Sequence, residues 1–381
     1  MATRPRERME AVDGAASRVR IDFGDGSGRG YDILVGEGLL GRLPGLLAAA
    51  CPAHRYVLIA DDRVAALYAS GVEQALREAG ARVDTLTFPA GEAHKTRESW
   101  AILSDAMLAA DIGRDAAVLA LGGGVTGDLA GFVAATYMRG LPLVQLPTSL
   151  LAMIDSSVGG KTGVDTSAGK NLIGAFLQPA VVLADTEVLD TLPAPELRAG
   201  LVEAVKHGAI ADAAYFHRIA AALPAILALD PSEVRPLIVR SVEIKADVVA
   251  RDEREGGPRK TLNFGHTVGH AVEALSGYRL LHGEAIAVGM VVEATIGEAL
   301  GLTQTGTAEV LRDLLLRLEM PVALPTGMDV EAVLAATRSD KKARQGRVEY
   351  SLIEEIGRAH SAGGRWSVAV EDAVVREALG G

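Results

Sequence analysis

Cysteine occurs once in the 381 residues, at Cys51. No intrachain disulfide can form, and a reducing cytoplasm is the simplest compartment. Aromatic residues are scarce, at 4%, while Ala, Val, Leu and Gly are abundant, which argues against a β-sandwich and for helices packed tightly on parallel sheet. There is no uninterrupted run of about 18 apolar residues, so no membrane-spanning helix is expected. A surplus of positive charge is also missing. Lys and Arg number 38 against 49 Asp and Glu, a net charge of −11. Nucleic acid is therefore not an expected partner, and cations clustered at one place would mark a small anionic ligand. The first 17 residues, MATRPRERMEAVDGAAS, lack the apolar segment of an export signal and are expected to be a disordered extension.

What is present has the size of two domains. RVRIDF and YDILVG, flanking GDGSGRG, suggest a β-hairpin. Apolar runs follow at residues 56–61, 82–88, 116–122, 142–147 and 180–185, alternating with amphipathic stretches in a βαβ rhythm. After about residue 187 longer helical periods take over, and strand-like runs survive only around RVEYSLI and WSVAV. The expected fold is an α/β N-terminal domain with a mostly parallel, Rossmann-like sheet over residues 18–187, followed by an all-α C-terminal domain over 188–381. The boundary is expected between residues 185 and 195.

The densest chemistry lies between residues 121 and 174. Gly122, Gly124 and Gly127 form G-x-G-x-x-G after a strand, which suits close approach of backbone to a pyrophosphate. The pattern lacks the acidic residue expected about 20 positions later. Asp61, at the end of an earlier strand, can serve as that ribose ligand or as the N-cap of a helix starting near Arg63. Arg139, Lys161 and Lys170 suit a second anion, so a dinucleotide and a phosphorylated substrate would fit here together.

In the helical half, His266 and His270 share one helical face, His282 precedes the next helix, and Glu203 adds a carboxylate with Lys206 and His207 one turn on. Two imidazoles plus a carboxylate form a common catalytic zinc set. His54, His94, His217 and His360 read as structural. Lys245, Arg259, Lys341 and Lys342 would ordinarily be solvated charges, but each adjoins a segment already singled out.

GGGVTGDLAGF, TYMRG, PTSLLAMIDSSVGGKTGVDT, AGKNLIGAF, LRAGLVEAVKHG, the segment from EIKADVV to TLNFGHTVGHAVE, LLHGEAIAVGM and SDKK, in that order, resemble the 3-dehydroquinate synthases. The resemblance covers residues 35–357. It implies an NAD- and divalent-metal-dependent (zinc or cobalt) phosphate lyase of the shikimate pathway. Such an enzyme turns a small phosphorylated sugar acid, 3-deoxy-D-arabino-heptulosonate 7-phosphate, into 3-dehydroquinate by oxidation, phosphate elimination, reduction and aldol cyclisation.

Residue by residue, the resemblance makes Glu203, His266 and His282 metal ligands and puts His270 on the substrate side. NAD contacts fall to Asp61, Glu92, Lys95, Gly123, Gly124, Val125, Thr126, Gly127, Asp128, Thr148, Ser149, Lys161, Lys170, Val188, Leu189, Asp190 and Thr191. Substrate contacts fall to Asp155, Lys161, Asn171, Lys206, Lys245, Arg259, Asn263 and His270, with Lys341 or Lys342 closing the pocket. Arg139 matches an arginine that relatives insert into a neighbouring subunit, which implies a homodimer. Ser149 departs from the family, where a second Thr is common. Two other readings compete: a secondary-metabolic cyclase acting on sedoheptulose 7-phosphate or an amino analogue, and a non-catalytic protein on the same fold. Arg259 and Lys245 favour a substrate with a carboxylate, and the filled ligand positions favour catalysis.

Overall fold

The computed structural model describes residues 16–24, 30–167, 169–339 and 348–380. Most of the expected N-terminal extension, together with Lys341 and Lys342, lies outside them. The chain divides into two units, Met1–Leu192 with Val234–Ala246, and Pro193–Glu233 with Asp247–Gly381.

The first unit is built on seven strands: β1 (Ser17–Asp22), β2 (Gly30–Gly36), β3 (Arg55–Asp61), β4 (Arg82–Phe88), β5 (Ala116–Gly122), β6 (Leu143–Pro147) and β9 (Val181–Asp185). Their order in the sheet is β1-β2-β9-β6-β5-β3-β4. β1 and β2 pair antiparallel, as their hairpin pattern predicts, and the other pairs are parallel. The period-2 alternation of a strand explains the core. Tyr56, Leu58 and Ala60 of β3 join one apolar layer with Leu43, Leu47 and Leu76, while Val57 and Ile59 join the opposite layer with Leu103, Met107 and Leu129. β5 is central and covered on both sides, hence buried at every position.

From β3 the chain first steps outward to β4, then returns to β5 on the other side of β3. The carboxyl ends of β3 and β5 therefore flank a topological switch point, where open α/β sheets bind their ligands. One segment differs from its sequence reading. Residues 161–176, where the sequence reading placed no strand, form an antiparallel hairpin of β7 (Lys161–Thr166) and β8 (Gly169–Phe176). β8 is largely exposed, so it shows no apolar alternation by which a strand is recognised.

The second unit is mainly helical. Its helices Ala194–Ala211, His266–Leu275, His282–Ala299 and Thr307–Arg317 fall on the expected segments, and Ala213–Leu227, Val330–Ser339 and Asp372–Gly380 add to them. It is not purely α: Glu349–Tyr350 pairs with Val368–Ala369, on the two strand-like runs of the sequence, and Ile353–Glu355 pairs with Arg358–Ala359, which the sequence reading did not mark. No helix among the described residues is long and apolar enough to cross a membrane.

Candidate active site

In the first unit, Gly123 opens the helix Gly124–Thr136 with no capping side chain and no acidic residue in the first turn, which leaves a helix N-terminus suited to an anion. A Cβ on Gly122 would lie 2.3 Å from Thr126 Oγ1, so the turn tolerates no side chain there. Asp61 caps the helical segment after β3: its Oδ1 accepts N–H groups of Arg63 at 3.1 Å and Val64 at 3.0 Å. Its other oxygen accepts the Thr126 hydroxyl at 3.2 Å, linking the ends of β3 and β5 across the switch point. Thr148 is buried after β6, and Ser149 Oγ accepts the Ala152 N–H at 3.2 Å. On the turn Thr186–Thr191, Val188 and Leu189 are core residues, while Thr191 and the Val188 carbonyl meet the Tyr68 hydroxyl.

Charge concentrates beside this edge. The buried Lys95 Nζ lies 2.8 Å from Glu92, 3.3 Å from Asp128 and 3.7 Å from Asp165, and Lys170 Nζ lies 3.1 Å from Glu92. Burial disfavours a charged Glu92, but Lys95 and Lys170 outweigh it and bring its pKa down to about 2. Burial likewise opposes charge on Lys95, yet Asp128 and Glu92 hold its pKa above the usual lysine range. Asp128 goes the other way, pushed up to about 6 by burial despite Lys95.

Asp165, which the sequence reading passed over, ties this cluster to the hairpin. Its N–H donates to the Lys95 carbonyl at 2.7 Å, and its carboxylate accepts the N–H of Asn171 at 2.8 Å. Asn171 itself has a left-handed backbone, φ 52. Lys161 is exposed at the start of β7. Lys245, although far along the chain, belongs to this unit, and its Nζ donates to Asp155 Oδ1 at 2.6 Å and to the Asp155 carbonyl at 2.5 Å. Arg139 is exposed on a turn where both Met138 (φ 48) and Arg139 (φ 72) are left-handed.

In the second unit, three separated segments bring Glu203, His266 and His282 together. Glu203 is fully buried in the helix Ala194–Ala211. Its Oε1 lies 3.5 Å from His266 Nε2 and 3.4 Å from His282 Nε2, and its Oε2 meets Lys206 one turn on. One ligand atom from each of the three lies within 4.8 Å of the other two. His270, Glu273 and His282 also satisfy that spacing. The first set is chemically the better one, because each ring turns its Nε2 to Glu203 while its Nδ1 has a partner behind it. His266 Nδ1 is 3.1 Å from the Phe264 carbonyl, and His282 Nδ1 is 3.6 Å from Glu273. Carbonyl or carboxylate behind a ligating imidazole is the usual support of a metal site. A carboxylate with two imidazoles fits zinc or cobalt.

Burial and Lys206 keep His266 neutral, well below the usual histidine pKa, against the pull of Glu203. Burial works against a charged His282 too, but Glu203 and Glu273 prevail and raise its pKa to about 9. The close approach of the two helices is set by glycine. A Cβ on Gly289 would fall 1.9 Å from the Gly265 carbonyl oxygen, and Gly265 has φ +79.

The remaining expected residues of this unit lie on the same run of chain. His270 stacks edge-on to His266, ring centroids 5.2 Å apart. Arg259 is buried, donates to the Glu253 carbonyl and has its own N–H bound by Asp252 at 3.1 Å. Asn263 donates to Glu255 at 2.6 Å. Glu273 and Glu293, both buried, escaped the sequence reading. Glu293 had a legible signal, as a carboxylate inside the apolar run AIAVGMVVEATIG.

Residues 85–199 match the family described as 3-dehydroquinate synthase N-terminal, and residues 200–343 the one described as 3-dehydroquinate synthase C-terminal. The chain is 49% identical over 324 residues to a 3-dehydroquinate synthase of Symbiobacterium thermophilum, an alignment covering 84% of this chain and 90% of that protein. It is 47% identical over 359 residues to one of Xanthomonas axonopodis pv. citri, covering 92% and 95%. Among solved structures it resembles a 2-deoxy-scyllo-inosose synthase complexed with carbaglucose-6-phosphate, NAD+ and Co2+ (TM-score 0.83, 26% identity, 95% and 99% covered). It also resembles a 2-epi-5-epi-valiolone synthase from Streptomyces hygroscopicus with NAD+ and Zn2+ bound (TM-score 0.83, 30% identity, 92% and 95% covered).

Proposed function

The chain belongs to the 3-dehydroquinate synthase family, and from that premise we propose that it converts 3-deoxy-D-arabino-heptulosonate 7-phosphate to 3-dehydroquinate and phosphate, as a cytoplasmic homodimeric lyase of aromatic amino acid biosynthesis. The observation that carries the reading is the convergence of Glu203, His266 and His282 beside Lys206. NAD, when bound, supplies reversible hydride transfer at one substrate carbon, and zinc or cobalt supplies polarisation of the substrate hydroxyls.

The protein's own residues do the rest. Asp61, Glu92, Lys95, the uncapped turn at Gly123 and Gly124 with Asp128, and Thr148, Ser149, Lys170 and Thr191 hold the nucleotide. Glu203, His266 and His282 hold the metal. Arg259, with Lys245, receives the substrate carboxylate; a guanidinium matches two carboxylate oxygens at once, and its burial strengthens the pairing. Lys161, Asn171, Asn263 and His270 bind the phosphate, with Arg139 reaching in from a neighbouring subunit. Held by these donors, the departing phosphate takes the proton from the adjacent carbon, so no further base is required. Restriction of the opened chain to one conformer favours its final closure.

The two solved cyclases named above are 26% and 30% identical to this chain, against 49% and 47% for the two dehydroquinate synthases, which supports the carboxylate-bearing substrate over sedoheptulose 7-phosphate. The test is turnover by purified protein with catalytic NAD and zinc. One phosphate should appear per dehydroquinate with no net NADH, and sedoheptulose 7-phosphate should be a poor substrate. A preference for the latter overturns the substrate assignment, and stoichiometric NADH overturns the reaction.

A further inference from the structure

The helix His266–Leu275, which carries two imidazoles of the site, starts at Gly265 in a left-handed conformation and has no capping side chain of its own. None could be accommodated: a Cβ on Gly265 would lie 2.5 Å from Met290 Cγ and 3.0 Å from Met290 N. The cap comes from the neighbouring helix instead. Glu293 Oε2 accepts the Gly265 N–H at 2.7 Å, and Oε1 accepts those of Thr267 at 3.0 Å and Val268 at 3.2 Å. Glu293 is fully buried. A buried carboxylate is tolerated only where such donors and the positive end of a helix compensate for lost water.

His282–Ala299 uses the same device a second time. Glu298 accepts the Ala308 N–H at 2.8 Å and so caps Thr307–Arg317, a helix that likewise starts at a left-handed glycine, Gly306. The two caps differ in what the capped turn bears. Beneath Glu293 the bonds from Gly265 and Thr267 fix the backbone on either side of His266, whose Nδ1 is then set against the Phe264 carbonyl. Beneath Glu298 no site residue is held.

We propose that Glu293 is a positioning residue of the metal centre: its carboxylate, by capping the turn at Gly265, Thr267 and Val268, aims His266 Nε2 at the metal held with Glu203 and His282. This rests on the metal reading given above.

The experiment is titration of chelator-stripped protein with Co2+ and with Zn2+, recording dissociation constants and the cobalt visible spectrum. Native chain, His282→Ala, E293Q, E293D and E298Q are compared, with NAD binding followed in parallel. E293Q keeps the volume but turns an amide donor toward backbone donors, and E293D sets the charge back by one methylene. Each should weaken metal binding about 10- to 100-fold and shift the cobalt spectrum, leaving NAD binding unchanged. E298Q loses an equivalent cap yet should bind cobalt like the native chain. Native affinity and spectrum in whichever Glu293 variant folds overturns the proposal, as does an equal loss in E298Q. If the native chain binds no metal, or His282→Ala binds it undiminished, the metal reading itself fails and the proposal falls with it.

Discussion

His282 Nε2 stands 3.4 Å from Glu203 Oε1, although the two residues sit on different helices, Ala194–Ala211 and His282–Ala299. The imidazole approaches the carboxylate with the nitrogen that a cation would share with it, and Glu273 supports the ring from its other side. Removal of the bound metal by a chelator should abolish turnover, and added zinc or cobalt should restore it. His282→Ala should lose measurable metal and at least about 1,000-fold in kcat. NAD affinity, if it rests on the first unit as proposed, should change little. Metal analysis of the purified variant together with nucleotide titration checks this, and full turnover by metal-free protein contradicts it.

The pairing of Glu92 with Lys95 and Lys170 makes a statement about acid stability. The folded carboxyl titrates near 2 rather than at its ordinary 4.5, because the two ammonium groups outweigh its burial. The stabilisation is therefore complete above pH 4.5 and is lost as pH falls through about 2. Glu92→Gln should lower the unfolding free energy by about 2 kcal/mol at neutral pH without nucleotide, and the gap between the two proteins should close between pH 4.5 and 2. Denaturant unfolding of both across that range measures it. A gap that persists at pH 2 would mean that the stabilisation is not electrostatic.

If Arg139 completes a site in a second subunit, inactive Arg139→Ala chains mixed with chains inactivated by Lys161→Ala should recover activity. Each hybrid dimer then holds one site with both lesions and one with neither, so at statistical mixing about a quarter of the sites regain function. Subunit exchange is followed independently by labelled chains. Exchange without recovery would place Arg139 in its own chain's site or outside the reaction.

The legible parts of this molecule were those with a repeating physical pattern. β3 and β5 announce themselves as apolar runs because both faces of an interior parallel strand are covered. The helix bearing His266 and His270 is visible from their spacing. The hairpin of β7 and β8 has no such pattern, since its outer strand is largely exposed and interrupted by Gly169 and Gly174. Nor does any local signal join Lys245 to Asp155, or Asp165 to both Lys95 and Asn171; those pairings come from topology. Asp61 had two readings, and the structure shows the helix cap directly while its second oxygen meets Thr126. The roles of Glu92, Lys95 and Asp128 came only through family resemblance, because isolated charges in a sequence do not reveal that they form one network.

The contact between Gly265 and Gly289 limits how the proposed metal centre can evolve. Contact between backbone and backbone, with no room for a single methyl, is a boundary that cannot be adjusted by degrees. Most packed interfaces can be loosened or tightened by exchanging Val for Ile or Ala for Val, so the separation of ligands on either side drifts in small steps. Here the smallest available step is an entire Cβ, which the two helices cannot absorb without parting. The spacing of the His266 and His282 rings is thus locked from behind, and variation in the metal preference of such a site has to come from the ligands and their supporting residues rather than from a change in the width of the cradle.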